Sequence, residues 1–279
     1  MIENKVLANG YKMPEIGFGT YLTPDGEVCA ESVKTAIECG YRHIDTAEFY
    51  QNENGVKEGI RRSGIDRKEL FLTTKVWNTN QGYENTLKAF DGSLKKLGTD
   101  YLDLYLVHWP SPFPFRKEFP EKLLDTWRAF EKLYKEGVVK AVGVCNSLPH
   151  HLKPLLTDCE IKPMVNQIEF HVGYTQQEAV DFSMNNNLVV QAWAPIARGN
   201  EFQNQLISDI AKKYGKTAAQ VLIRYCIDKG TVPLPKSVHK ERIAENIKVF
   251  DFKLTIDEIN KLDKYSGSAY GSHPDTAEF

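Results

Sequence analysis

The stretch YRHIDTAEFY (41–50), read with LFLTTKVW (70–77) and YLDLYLVHWP (101–110), decides the fold. Each segment is a short apolar run that ends on a side chain capable of chemistry: Asp45, Lys75 and His108. Tyr50 follows Asp45 by five residues. Runs of this length bounded by turn residues read as buried strands, and the segments between them carry helical periodicity. Strands alternating with helices make an α/β protein with a parallel sheet. In a closed parallel barrel the C-terminal ends of the strands share one face, and catalytic groups gather there.

The same rhythm runs through the chain. Candidate strands are Ile16–Gly19, Tyr41–Asp45, Leu70–Val76, Leu102–Val107, Val139–Val144, Met164–Ile168, Leu188–Trp193 and Thr231–Pro235. Leu87, Phe90, Leu94 and Leu97 mark a helix closed by Gly98, and Leu123 to Tyr134 mark another closed by Gly137. The last gap holds two helices, Gln203–Tyr214 and Thr217–Asp228, and Thr255–Tyr265 opens on a capping box. Asn9-Gly10 between two apolar arms suggests an N-terminal hairpin with a type I′ turn. The expected architecture is a (β/α)8 TIM barrel with an N-terminal β-hairpin and extra C-terminal helices, one domain over residues 1–279. Proline-rich Trp109–Pro120, directly after His108, reads as a substrate wall.

Composition narrows the function. A net charge of −2 gives no reason to expect nucleic acid or an anionic membrane as partner. The five cysteines form no CxxC pair, the first residues carry no apolar signal core, and no apolar run reaches a membrane span. These features suggest a cytoplasmic protein with free thiols and no metal site.

The four reactive residues together suit proton transfer to a carbonyl. A phenol near its ordinary pKa is a poor acid at neutral pH, and a nearby ammonium favours its phenolate. Lys75 would supply that ammonium, Asp45 would keep it charged, and Tyr50 would donate the proton. His108 would orient the carbonyl oxygen. No side chain supplies a hydride, so a nicotinamide cofactor must. Gly17-Phe-Gly19 is not a Rossmann fingerprint, because Leu22 stands at the third glycine. The turn PKSVHKER (235–242) offers Lys236, Ser237 and Arg242 to a phosphate instead.

With GFGTY (17–21), YRHIDTAEFYQNE (41–53), LFLTTKVW (70–77), DLYLVHWP (103–110), VNQIEFH (165–171) and PKSVHKERIAEN (235–246), the chain resembles the aldo-keto reductase family over almost its whole length. It is most similar to the microbial branch of 2,5-diketo-gluconate reductases and prostaglandin F synthases. The resemblance implies NADPH bound in an extended pose, a small carbonyl substrate and a monomer. It implies Asp45, Tyr50, Lys75 and His108 as the catalytic tetrad. Gly19, Thr20, Tyr21 and Asp45 would lie by the cofactor, Asn146 and Gln167 would hold the nicotinamide carboxamide, and Trp193 would stack on its ring. Ala194, Pro195 and Ile196 would pass the pyrophosphate. Lys236, Ser237, Val238 and Arg242 would take the 2′-phosphate, with Glu245 and Asn246 at the adenine. Tyr21, Tyr50, Trp77, His108 and Trp109, with Phe113 and the stretch 268–279, would wall the substrate.

The chain departs from the family pattern at Cys145, where serine is usual, at Ser147, where phenylalanine is usual, and at Trp193, where tyrosine is commoner. A thiol is the weaker hydrogen-bond partner, so weaker nicotinamide binding is expected from Cys145, and looser packing from Ser147. Two other readings use the same residues: a Schiff-base aldolase with Lys75 as nucleophile, and a reductase-like barrel without turnover.

Overall fold

The structure, a computed structural model, describes residues 3–279. Two short strands, β1 (Asn4–Val6) and β2 (Lys12–Pro14), pair antiparallel. Then β3 (Phe18–Gly19), β4 (His43–Asp45), β5 (Phe71–Val76), β6 (Leu102–Val107), β7 (Val139–Cys145), β8 (Val165–Glu169), β9 (Val189–Trp193) and β10 (Val232–Pro233) form one sheet in chain order. Every ladder in it is parallel. Helices α1 (Glu27–Glu38), α2 (Glu53–Ser63), α3 (Tyr83–Leu97), α4 (Glu121–Lys135), α5 (Pro149–Asp158) and α6 (Gln177–Asn185) fill the first gaps. The longest gap holds α7 (Gln205–Tyr214) and α8 (Ala218–Asp228), and α9 (Lys240–Asn246) and α10 (Ile256–Asp263) follow the last strand.

The barrel closes where its first and last strands meet. Gly17 N donates to Pro233 O and Gly19 N to Pro235 O, each at 3.0 Å. The expected strand Thr231–Pro235 shrinks to two residues for a chemical reason: Pro233 and Pro235 have no N–H to give a ladder. Their carbonyls still accept, and that is all this seam needs. Gly17 and Gly19 therefore belong to barrel closure. A Cβ on Gly17 would stand 2.6 Å from Leu234 Cδ2 and 2.8 Å from His43 Nδ1.

The hairpin turns differently from a type I′ loop. Only Gly10 has a positive φ, 82°, and Gly10 N donates to Leu7 O while Leu7 N donates to Tyr11 O. That is a three-residue loop with glycine at the left-handed position, as in a type I turn with a bulge. Asn9 contributes its side chain instead, accepting from Tyr11 N at 3.0 Å. Tyr11 then donates to Asp103 Oδ1 at 2.6 Å and lies against Phe71, at the start of β5. The hairpin thus covers the N-terminal ends of the strands and leaves the C-terminal ends free for a site.

The helix signals appear where the sequence puts them. Gly98 caps α3 with φ 65°, and its N–H bonds Leu94 O at 2.8 Å. Thr255 caps α10, with Thr255 N donating to Glu258 Oε2 at 2.8 Å in a reciprocal box worth about 1 kcal/mol. The five cysteines are free thiols. Among the described residues no helix is long and apolar enough to cross a membrane.

Packing between β7 and β8 is tight enough to give a first prediction. A Cβ on Gly143 would lie 2.5 Å from Val165 O and 2.8 Å from Leu106 Cδ2. Gly143→Ala should therefore destabilise the fold by about 1–3 kcal/mol. A denaturation midpoint within error of wild type would show that the barrel wall yields there.

Candidate active site

The four reactive side chains converge at the C-terminal face. Asp45 ends β4, Lys75 lies one residue from the end of β5, and His108 follows β6. Tyr50 sits on the turn Glu48–Tyr50 between β4 and α2. That turn is held by Asn52, fully buried, which accepts from Thr46 Oγ1 at 2.8 Å and donates to Thr20 O at 2.9 Å and Thr23 O at 3.0 Å. Glu48 adds a brace by accepting from Trp77 N at 2.9 Å. Neither Asn52 nor Glu48 was picked out from the sequence. Most of their partners are loop atoms 29 to 32 residues away in the chain, which only folding brings close.

Lys75 Nζ donates to Asp45 Oδ1 at 2.6 Å, Thr46 O at 2.8 Å and Tyr50 Oη at 3.4 Å. The lysine is fully buried and reaches the cavity through its partners. Burial lowers its pKa, but the Asp45 carboxylate and then Tyr50 act the other way, and the net shift is upward. A lysine buried against a carboxylate and away from the cavity is poorly placed to attack a carbonyl, which speaks against a Schiff-base aldolase.

The phenol behaves differently from the sequence expectation. Burial raises the Tyr50 pKa more than Lys75 lowers it, so the net shift is upward. Tyr50 is a neutral phenol at physiological pH, the state a proton donor must hold. His108 is pushed well below its ordinary value by burial and then by the Lys75 charge, so it is a neutral imidazole. Its Nδ1 is buried without a hydrogen-bond partner.

A cavity of about 910 Å³ opens over these groups. Asp45, Tyr50 and His108 line one region of it, with Tyr21, Trp77 and Trp109 around them. The residues Gly19, Asn146, Gln167, Trp193, Ala194, Pro195, Ile196, Lys236 and Arg242 continue the wall. Asn146 holds a left-handed φ of 53°, a conformation asparagine tolerates. Its Nδ2 donates to His108 O at 2.9 Å and its Oδ1 accepts from Trp193 Nε1 at 2.9 Å. Gln167 Nε2 donates to Asp45 Oδ2 at 2.8 Å and Gln191 Oε1 at 2.7 Å. Those bonds leave Asn146 one N–H and one lone pair, and Gln167 its carbonyl oxygen, free for a carboxamide. Arg198, Lys236 and Arg242 also line the cavity, and none of the three makes an ion pair among the described residues. The donor set fits a dinucleotide with phosphates.

Several expected site residues do not line this cavity. Thr20 lies behind Asp45, its hydroxyl donating to Asp45 O at 3.0 Å. Ser237, Val238, Glu245 and Asn246 are not cavity walls. Ser237 Oγ accepts from His239 N at 3.1 Å, and Glu245 accepts from Thr217 Oγ1 at 2.7 Å. Phe113 is 58% exposed and does not line this cavity; its N–H bonds Phe279 O at 3.2 Å. Ser147 is buried, and its carbonyl accepts from Asn166 Nδ2 at 2.9 Å.

The walls also include residues that the sequence did not single out. Phe49 stacks on Trp77 with centroids 3.9 Å apart. Phe279 lies 5.8 Å from the Trp77 ring and 4.9 Å from the Trp109 ring. Tyr270, Gly271 and Ser272 come from the same tail. The sequence signal was the segment 268–279 as a whole, not these positions in it.

Residues 15–266 match the sequence model of the Aldo/keto reductase family. The chain is 47% identical over 274 residues to a glyoxal reductase of Bacillus subtilis (strain 168), covering 98% of this chain and 96% of that one. It is 47% identical over 273 residues to a 9,11-endoperoxide prostaglandin H2 reductase of Trypanosoma cruzi (strain CL Brener), covering 96% and 94%. Among solved structures, MGS-M4, an aldo-keto reductase enzyme from a Medee basin deep-sea metagenome, superposes with a TM-score of 0.93 at 43% identity, covering 99% and 100%. A Bombyx mori aldo-keto reductase in complex with NADP gives 0.87 at 34% identity, covering 95% and 93%. The chain belongs to the aldo/keto reductase family, and with it to the NADP(H)-dependent oxidoreductases.

Proposed function

We propose that the protein reduces aldehydes and ketones to alcohols, with Tyr50 as proton donor and Asp45, Lys75 and His108 supporting it. The observation that supports this most is the Lys75 ammonium shared by Asp45 Oδ1 at 2.6 Å and Tyr50 Oη at 3.4 Å. NADPH, when bound, would supply the hydride for the new C–H bond of the alcohol.

The residues supply everything else. Tyr50 holds its proton until negative charge develops on the carbonyl oxygen, then passes it to that oxygen. Lys75 stabilises the phenolate left behind, and the carboxylate of Asp45 keeps Lys75 charged and in place. His108, neutral, gives an N–H to the carbonyl oxygen and orients it toward Tyr50. Tyr21, Phe49, Trp77, Trp109 and Phe279 surround that region with aromatic surface that excludes water. Asn146 and Gln167 would hold the carboxamide, Trp193 the nicotinamide face, and Ala194, Pro195 and Ile196 the pyrophosphate. Lys236 and Arg242 would meet the 2′-phosphate.

Consumption of NADPH, followed by its absorbance, with a panel of aldehydes, α-dicarbonyls and ketones tests the reaction. The names of the relatives put glyoxal on that panel. Demonstrated NADPH binding with no carbonyl-dependent oxidation would overturn the reading. The phosphate contact gives a separate prediction. Arg242→Ala should raise the Kd for NADPH about tenfold or more, as expected for a lost charge-assisted hydrogen bond, and change NADH binding less than about twofold. Equal losses for both cofactors, measured by fluorescence titration, would place Arg242 elsewhere on the dinucleotide.

A further inference from the structure

The tail that walls the cavity is tied to the barrel by a buried carboxylate the mechanism does not use. Glu169 ends β8 and is 3% exposed. Its Oε1 accepts from Tyr270 N at 2.7 Å and its Oε2 from Gly271 N at 3.1 Å. Its other partner is His171, fully buried, whose Nε2 stands 3.3 Å from Oε1. The other ring nitrogen of His171, Nδ1, stands 2.9 Å from Val172 O. The imidazole thus sits between the Glu169 carboxylate and the Val172 carbonyl. No Lys or Arg ion pair reaches this carboxylate among the described residues. Its charge is met by two backbone amides and an imidazole, a set that orders the tail and barrel together.

The anchored residues lie against a proposed cofactor-facing side chain. A Cβ on Gly271 would be 2.3 Å from Trp193 Cη2, so the tail backbone rests on the indole. Trp193 is the direct ladder partner of Glu169. From the indole, the contacts continue through Trp193 Nε1 to Asn146 Oδ1 and from Asn146 Nδ2 to His108 O. We propose that Glu169 is a positioning residue: by pinning Tyr270 and Gly271 it presses the tail onto Trp193 and sets the indole and Asn146 for the nicotinamide. The inference rests on the proposed function for its kinetic consequence, not for the anchoring itself.

Two variants test it, with NADPH Kd, steady-state kinetics and limited chymotrypsin cleavage at Tyr270 as readouts. Glu169→Gln keeps the size but turns an NH2 toward one of the two tail amides. Gly271→Ala leaves the carboxylate intact and pushes the tail off the indole. Both should raise the NADPH Kd about tenfold, lower kcat/KM at least as much and speed tail cleavage several-fold. A melting temperature lowered in Glu169→Gln, with cleavage rate and Kd unchanged in both variants, would reduce Glu169 to a structural residue and overturn the proposal. If the wild-type protein reduces no carbonyl while both variants loosen the tail and weaken NADPH binding, the anchor stands and the catalytic reading fails.

Discussion

Tyr50→Phe should lower turnover by about 10²–10⁴-fold, the range that general acid catalysis contributes, while the NADPH Kd stays within about twofold of wild type. The substitution removes one hydroxyl. Lys75 keeps Asp45 at 2.6 Å and Thr46 O at 2.8 Å, so the buried ammonium remains paired. The ring still fills its place beside Tyr21, 5.0 Å away, and His108, 5.7 Å away. Loss of rate without loss of binding or stability would therefore isolate the proton. Turnover within a few-fold of wild type would sink Tyr50 as donor. His108, neutral and 8% exposed, would become the remaining candidate.

Asp45→Asn should have the largest effect on stability. It leaves Lys75, fully buried, as an uncompensated charge, and breaking a buried pair costs about 3–5 kcal/mol. It also replaces a carboxylate oxygen that accepts from Gln167 Nε2 at 2.8 Å. The melting temperature should fall by roughly ten degrees, and activity should fall with it because the Lys75 charge is no longer held. Combining Asp45→Asn with Lys75→Met removes both charges and should recover much of the stability but none of the activity, a coupling that a double-mutant cycle reads directly. A single variant that melts with wild type would mean that solvent or relaxation compensates Lys75.

Much of the fold was legible because its signals are local. Apolar runs of strand length, Gly98 and Gly137 as helix ends and the Thr255 capping box each involve neighbours in the chain, and each element stands within a few residues of its expected place. The misses came where a partner far away sets the outcome. The strand after Thr231 is short because Pro233 and Pro235 can only accept, and what they accept is the N–H of Gly17 and Gly19 from the other end of the barrel. The hairpin loop took glycine alone at positive φ, and the Asn9 side chain reaches across to donate to Lys140 O at 2.9 Å.

The candidate site divides the same way. Asp45, Lys75 and His108 were visible because a strand end marks each, and a parallel barrel gathers strand ends on one face. The sign of the Tyr50 shift was not visible. It depends on how burial compares with the field of Lys75, and burial is a property of the whole assembled pocket. The tail 268–279 was expected at the pocket, but the roles of Phe49 and of Phe279 within it were not. These two residues meet Trp77 from a turn and from a tail separated from it by unrelated lengths of chain. Hydrophobic period and strand-end chemistry, written in adjacent residues, determined the barrel and its reactive face. Only the tertiary structure decided protonation, the place of Phe49 in the cavity wall and the anchoring of the tail on Glu169, because each is a balance among groups that the chain brings together only when it closes.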